Sequence, residues 1–170
     1  MAVFFTSDTH FGDPRVLRID RRPFSSLAEH DAALIERWNG VVSPTDEVWH
    51  LGDFAHGPPP HRILEILAGL NGVKHLIIGN NDDPVTLSAS GWASVQHYTE
   101  MTLDGTHLVL CHYPFRTWNR MGRGVVDFHG HSHGKLKPVT RQFDVGVDVF
   151  DYRPVTLDTI LGSRTRRAKV

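Results

Sequence analysis

Seven side chains with metal-ligand chemistry stand in turns directly after short apolar runs of this sequence. Asp8 and His10 follow Val3–Phe5, Asp53 follows Val48–Leu51, and Asn80 follows Leu76–Ile78. His112 follows Leu108–Cys111, and His131 with His133 follows Val125–Phe128. Pairs such as Asp-x-His and His-x-His let one turn aim both side chains at one ion, or at two ions side by side. Gly52 before Asp53 permits a tight bend that leaves the carboxylate free to bridge two ions. Imidazole nitrogen mixed with carboxylate and amide oxygen suits manganese, iron, zinc, cobalt or nickel rather than calcium. One such pair alone reads as a capped turn with solvated side chains. Five such turns in one small chain point to two divalent ions in one cleft.

The elements that must position these donors follow from the apolar pattern. Short β-rich runs bounded by turn residues read as buried strands, and open α/β sheets place ligands at the carboxyl edge of their strands. After the first strand, Ser25-Ser26 opens a helix with Leu27, Leu34, Ile35 and Trp38 on one face and Gly40 as its stop. Glu47–Leu51 is the second strand. Pro58-Pro59-Pro60 leads into a helix with Ile63, Leu64, Leu67 and Leu70 on its apolar side, ended by Asn71-Gly72. Val73–Ile78 is the third strand, so the first half reads βαβαβ with parallel strands. Val95–Leu103 and Thr106–Cys111 flank Asp104-Gly105 as a hairpin. Phe143–Val149 and Pro154–Leu157 are further strand candidates, and a helical turn is expected over Leu157–Leu161. A single domain over 1–162 is expected, with 163–170 a frayed, disordered basic tail.

Composition narrows the function classes. The 170 residues are 40% hydrophobic and 22% charged, ordinary values for a globular chain with a real core. A net charge of -1 lacks the electrostatic footprint of a protein that wraps extended nucleic acid. No stretch is long enough to span a membrane. One cysteine excludes an internal disulfide, and the start runs straight into a strand without a leader pattern, so the cytoplasm is expected. Histidine is abundant, at 12. His30, His61, His75, His97 and His107 are read as solvated or hydrogen-bonded.

The ordered set Asp8-x-His10, Gly52-Asp53, Gly79-Asn80-x-Asp82, His112 and Gly130-His131-x-His133 resembles the calcineurin-like metallophosphoesterase superfamily across about residues 1–160. Phe4 to Gly12, Arg22-Pro23-Phe24, His112-Tyr113-Pro114 and Asp144 to Asp148 are similar to its small single-domain bacterial and phage members. The resemblance implies an α/β fold, a four-layer αββα sandwich with two mixed sheets. It implies that Asp8, His10, Asp53 and His133 hold one metal, and that Asp53, Asn80, His112 and His131 hold the other. The chemistry implied is attack on a phosphate ester by a hydroxide bridging two ions about 3.5–4 Å apart, manganese favoured. Four cationic charges less Asp8, Asp53 and the hydroxide leave about one for the phosphate.

Two positions depart from the family pattern. Asn81 stands where the family places a histidine that helps protonate the leaving group, and an amide supplies no proton near neutral pH. Asn81 and Asp82 are the catalytic candidates: the Asn81 amide can bind a phosphate oxygen and favours strained diesters, pyrophosphate-type bonds and aryl esters, and Asp82 is available to orient a ring introduced at position 81. Asp13 stands where close relatives often carry histidine. His56 and His129 are alternative acids, read first as structural. Arg116 is a candidate contact to a phosphate oxygen, whereas Trp118 and Phe115 fit core packing or loop anchoring better than base stacking. The favoured function is a phosphodiesterase acting on a small phosphate ester, nucleotides included. A phosphomonoesterase with another proton donor and a non-catalytic metal-binding scaffold are the alternatives.

Overall fold

The computed structural model describes residues 1–137 and 139–167. Strands β1 (Val3–Thr6), β2 (Glu47–His50) and β3 (Val73–Ile77) alternate with helices α1 (Arg15–Ile19), α2 (Leu27–Asn39) and α3 (Pro60–Gly69). The second half comprises α4 (Pro84–Ser88), β4 (Trp92–Gln96), β5 (Tyr98–Leu103), β6 (Thr106–Cys111), β7 (Val126–His129), β8 (Gln142–Asp144), β9 (Val155–Thr156) and α5 (Leu157–Arg167). Two mixed sheets result, with strand orders β4-β3-β2-β1-β9 and β5-β6-β7-β8. The parallel first half is observed as expected, with β1 beside β2 and β2 beside β3.

Strand alternation divides the core between the layers. Phe4, Val48 and Leu76 face one way and pack with Leu34 and Trp38 of α2 and Ile63, Ile66 and Leu67 of α3. Their neighbours Phe5, Trp49 and Ile77 face the other way and pack with Leu108, Leu110, Val126 and Phe128 of the second sheet. The outer face of that sheet is covered by the loop after β6, where Trp118 and Val125 pack on Val109. The expected αββα layering is present, with the fourth layer reduced to this loop and its single 3-10 turn, Met121–Arg123. Trp118 is thus an anchor, its indole N–H donating to Val125 O at 2.9 Å.

Several local expectations change. The run Val95–Leu103 is split at His97, because Val95 and Gln96 pair with β3 whereas Tyr98 onward pairs with β6. The chain crosses from one sheet to the other there. Phe143–Val149 is not one strand. After Asp144 the chain leaves β7 and bridges Gly146 to Ser7 beyond β1. In α3 the buried face holds Ile66 rather than Leu64, which is 41% exposed, since the helix phase places 63, 66, 67 and 70 inward. The short α1 and α4 escaped the periodicity argument because neither completes two turns. Helix α5 continues past Leu161 to Arg167, through part of the expected tail, and 168–170 lie outside the described residues.

Candidate metal centre

The carboxyl ends of β1, β2, β3, β6 and β7 converge as expected, and two groups of donors form there. One ligand atom from each of Asp8, His10 and His133 lies within 4.8 Å of the other two, and the same holds for Asp53, His112 and His131. Asp53 joins the groups: its Oδ2 is 3.5 Å from His10 Nε2 and 3.6 Å from His112 Nε2. Asn80 Oδ1 lies 3.0 Å from His112 Nε2.

Backbone strain marks the same residues. Asp8, His10, Asp53, His131 and His133 all have φ between 48° and 65°, the left-handed region that non-glycine residues avoid. Strain of this kind, about 1–3 kcal/mol per residue, persists only where surrounding contacts enforce it. Those contacts are visible. Asp82 accepts hydrogen bonds from the backbone N–H groups of Asp53, Phe54 and Gly79 at 2.8–2.9 Å, pinning the turns after β2 and β3 together. Burial raises its pKa to about 6, against the lowering effect of those N–H donors. Gly52 has φ +91°, and a Cβ there would lie 2.5 Å from His112 Nδ1. A Cβ on Gly130 would collide with Ser7 Oγ and Asp8 Oδ2.

A buried arginine that the sequence reading assigned no role holds the first group. Arg22, 3% exposed, donates to the carbonyls of Asp8 and Thr9 at 2.6 and 2.9 Å and forms a two-pronged pair with Asp148 at 2.8 and 2.9 Å. Its Nη1 also meets His30 Nε2 at 2.9 Å. Asp148 Oδ2 in turn lies 2.8 Å from His133 Nδ1. A carboxylate accepts only, so His133 carries a proton on Nδ1, and in its neutral ring Nε2 is the lone pair. Burial tends to lower the pKa of His133, but Asp148, Asp8 and Asp20 outweigh it and hold the value above the ordinary one. Burial tends to raise Asp148, yet His133 and Arg22 keep it well below the carboxylate range.

The donor set fits divalent cations. Among the described residues, neither nitrogen of buried His10 has a hydrogen-bond partner; Asp13 Oδ2 comes within 3.3 Å of Nδ1 without the alignment of a bond. His112 donates from Nδ1 to Leu51 O at 2.8 Å, so its Nε2 lone pair faces the oxygens of Asn80 and Asp53. Burial lowers the pKa of His112 and so favours the neutral ring. Asp8 is fully buried, and that burial raises its pKa well above the usual range, with Asp144 and Asp53 adding to it and His133 opposing. Buried carboxylate, amide and imidazole donors that face one another match the donor set of a cation site, whose ion would displace their protons.

The remaining predicted residues are placed as follows. Asn81 donates to Asp53 through both its backbone N, at 2.8 Å, and its Nδ2, at 2.7 Å. Arg116 is exposed and makes no hydrogen bond or ion pair to these donors among the described residues. His129 is buried, with Nδ1 2.8 Å from Gly130 O. His30, His75 and His107 are hydrogen-bonded, as read. Tyr113, 48% exposed, sets its ring 4.7 Å from that of His131 and marks the open rim.

The calcineurin-like phosphoesterase superfamily domain matches residues 1–145. This chain belongs to that superfamily. Membership places it among metal-dependent phosphoester hydrolases and agrees with the candidate ligand groups. The chain is 29% identical over 167 residues to the uncharacterized protein MJ1445 of Methanocaldococcus jannaschii, with 94% of this chain and 89% of that protein covered. It is 30% identical over 190 residues to the gene 66 protein of Mycobacterium phage L5, with coverage of 92% and 91%. The fold is similar to that of the protein of unknown function AQ665 from Aquifex aeolicus, with a TM-score of 0.74, 20% identity, and 99% and 98% of the two chains covered.

Proposed function

We propose that this protein is a phosphodiesterase that works with two divalent metal ions, manganese favoured, on a small phosphate ester in the cytoplasm. The observation that carries this reading is the position of Asp53 Oδ2, within 3.6 Å of a histidine nitrogen from each donor group. Asp8, His10, His133 and Asp53 would hold one ion; Asp53, Asn80, His112 and His131 would hold the other. Two such ions supply Lewis acidity toward the phosphoryl oxygens and activate water as the nucleophile.

The chain's own residues do the rest. Asp148 and Leu51 O keep His133 and His112 in the tautomer whose Nε2 is free to ligate. Asp82 keeps Asp53 in its strained conformation. Asn81 sits against Asp53 but has no proton to give the departing oxygen. Diesters and other esters with leaving groups that depart readily unprotonated are therefore the matching substrates, and alkyl monoesters the poorest.

The reading is tested on full-length protein stripped with chelator and reconstituted with Mn2+. Elemental analysis should give two equivalents per chain, and hydrolysis of bis(4-nitrophenyl) phosphate should appear only with metal. Asp53→Ala should lose metal from both groups. Full double occupancy in that variant, or undiminished hydrolysis after confirmed metal removal, defeats the reading.

A further inference from the structure

We propose that Arg15 is a substrate-binding residue that grips a non-bridging phosphoryl oxygen, held in place by Asp13 on one side and Asn81 on the other. The inference rests on the phosphoesterase reading and adds to it the charge that meets the substrate.

Asp13 is buried, and its carboxylate accepts from Arg15 Nε at 2.9 and 3.1 Å, from Nη2 at 2.7 Å and from the backbone N at 2.9 Å. The arginine side chain is thereby folded back over a fixed carboxylate that itself lies 3.3 Å from His10. Nη2 reaches on to Asn81 Oδ1 at 3.2 Å, across 66 residues of sequence. Asn81 Nδ2 in turn lies 2.7 Å from Asp53 Oδ2. The guanidinium is therefore two hydrogen bonds away from the oxygen that joins the donor groups. Its side chain is 44% exposed, and Nη1 has no hydrogen-bond partner among the described residues.

Neutralising Asp13 accounts for Nε and one edge of the guanidinium. It accounts neither for the reach to Asn81 nor for the two N–H donors left on Nη1. A guanidinium whose plane is already fixed loses little further freedom when it binds an anion. It stays charged at all working pH values, so it stabilises negative charge on phosphoryl oxygen and passes no proton. This corner of the site, Arg15 with Asn81, works by charge alone. Its contribution should be the same for good and poor leaving groups.

The test uses full-length Arg15→Ala and Arg15→Lys, reconstituted with Mn2+ beside the wild type. Metal content is measured first, then the affinity for inorganic phosphate by calorimetry, then kcat and KM on diesters of graded leaving-group pKa. Arg15→Ala should keep its metal, bind phosphate about 10- to 100-fold more weakly, and lose about 10²-fold in kcat/KM by one common factor across the series. Arg15→Lys should recover part of both losses. Unchanged phosphate affinity in Arg15→Ala overturns the proposal, as does a loss of metal, which would make Arg15 a support for His10, or a rate loss that grows with leaving-group pKa. If the wild type itself takes up no metal, the phosphoesterase reading falls. The phosphate titrations still decide whether Arg15 holds an anion.

Discussion

The two donor groups are built differently. Asp8 and His10 lie at 0% and 4% exposure, and behind them Arg22, His30 and Asp31, all buried, form a continuous chain of hydrogen bonds with the partly buried Asp148. Around the second group, His131 and Asn80 are exposed and Tyr113 stands at the rim, while His112 is oriented by a backbone carbonyl. The first group is held by charged side chains with little room to move; the second is held by main chain and opens to solvent. Under the proposed two-ion reading, the first group would retain an ion and the second would give access to substrate. It also says where the fold is vulnerable, because a buried charge left without its partner is far costlier than a lost contact at a rim.

The largest expected effect lies in the first region. Arg22→Met leaves Asp148 without its cation and strips two carbonyls of donors, and should cost about 3–5 kcal/mol in urea unfolding of metal-free protein. Tyr113→Ala at the rim should cost less than about 1 kcal/mol. Equal losses would erase the contrast.

Between the regions, Asn81→His places an imidazole against Asp53. Turnover should rise most for alkyl monoesters, by about 10²-fold, and least for activated aryl diesters, read from kcat across the series at constant metal content. A uniform change for every leaving group would assign position 81 to geometry rather than proton supply.

A third effect is set by His50, which is fully buried beneath the first group. Thr9 Oγ1 lies 2.8 Å from Phe54 O and donates to it, so the hydroxyl accepts from His50 Nε2 at 2.9 Å and the ring is neutral. Burial lowers its pKa from 6.5 to about 3. The unfolded chain therefore takes up a proton near 6.5 that the native protein refuses until about 3. Stability from this group is complete above the upper value and falls as the pH drops toward the lower, by about 2 kcal/mol at pH 5. His50→Gln should flatten that part of the stability curve, measured by chemical unfolding from pH 7 to 4. An identical slope in variant and wild type would move the acid sensitivity elsewhere.

The smallest expected effect separates the groups directly. Asp148→Asn keeps an acceptor for His133 but removes the charge, and should weaken one of two Mn2+ equivalents by about tenfold in calorimetric titration. The other equivalent should stay unchanged. Equal weakening of both would mean that the network behind the first group supports the whole centre.

Much of the site was legible in the sequence because its donors follow strand ends, where period-two apolar runs meet turn residues. The parallel first half and the Asp104-Gly105 hairpin belong to that local pattern, whereas the division of the donors into two groups was implied by the family resemblance alone. Less was visible where short elements leave no period, as in α1 and α4, or where a continuous run changes sheets, as at His97. Arg22 stood within a quoted motif, Arg22-Pro23-Phe24, yet nothing local gave it a task. The left-handed backbones of Asp8, His10, Asp53, His131 and His133 left one trace, the recurrence of glycine beside or within these turns.

The residue types of the centre and the order in which strands present them are properties of the sequence alone, since they depend on neighbours a few positions away. The division into a buried and an open half was decided by tertiary structure. Arg22 meets Asp148 across 126 positions, and Arg15 meets Asn81 across 66. No periodicity encodes such meetings. They exist because two sheets pack face to face and bring distant turns to one edge, where a charge must find its partner or pay the cost of leaving water.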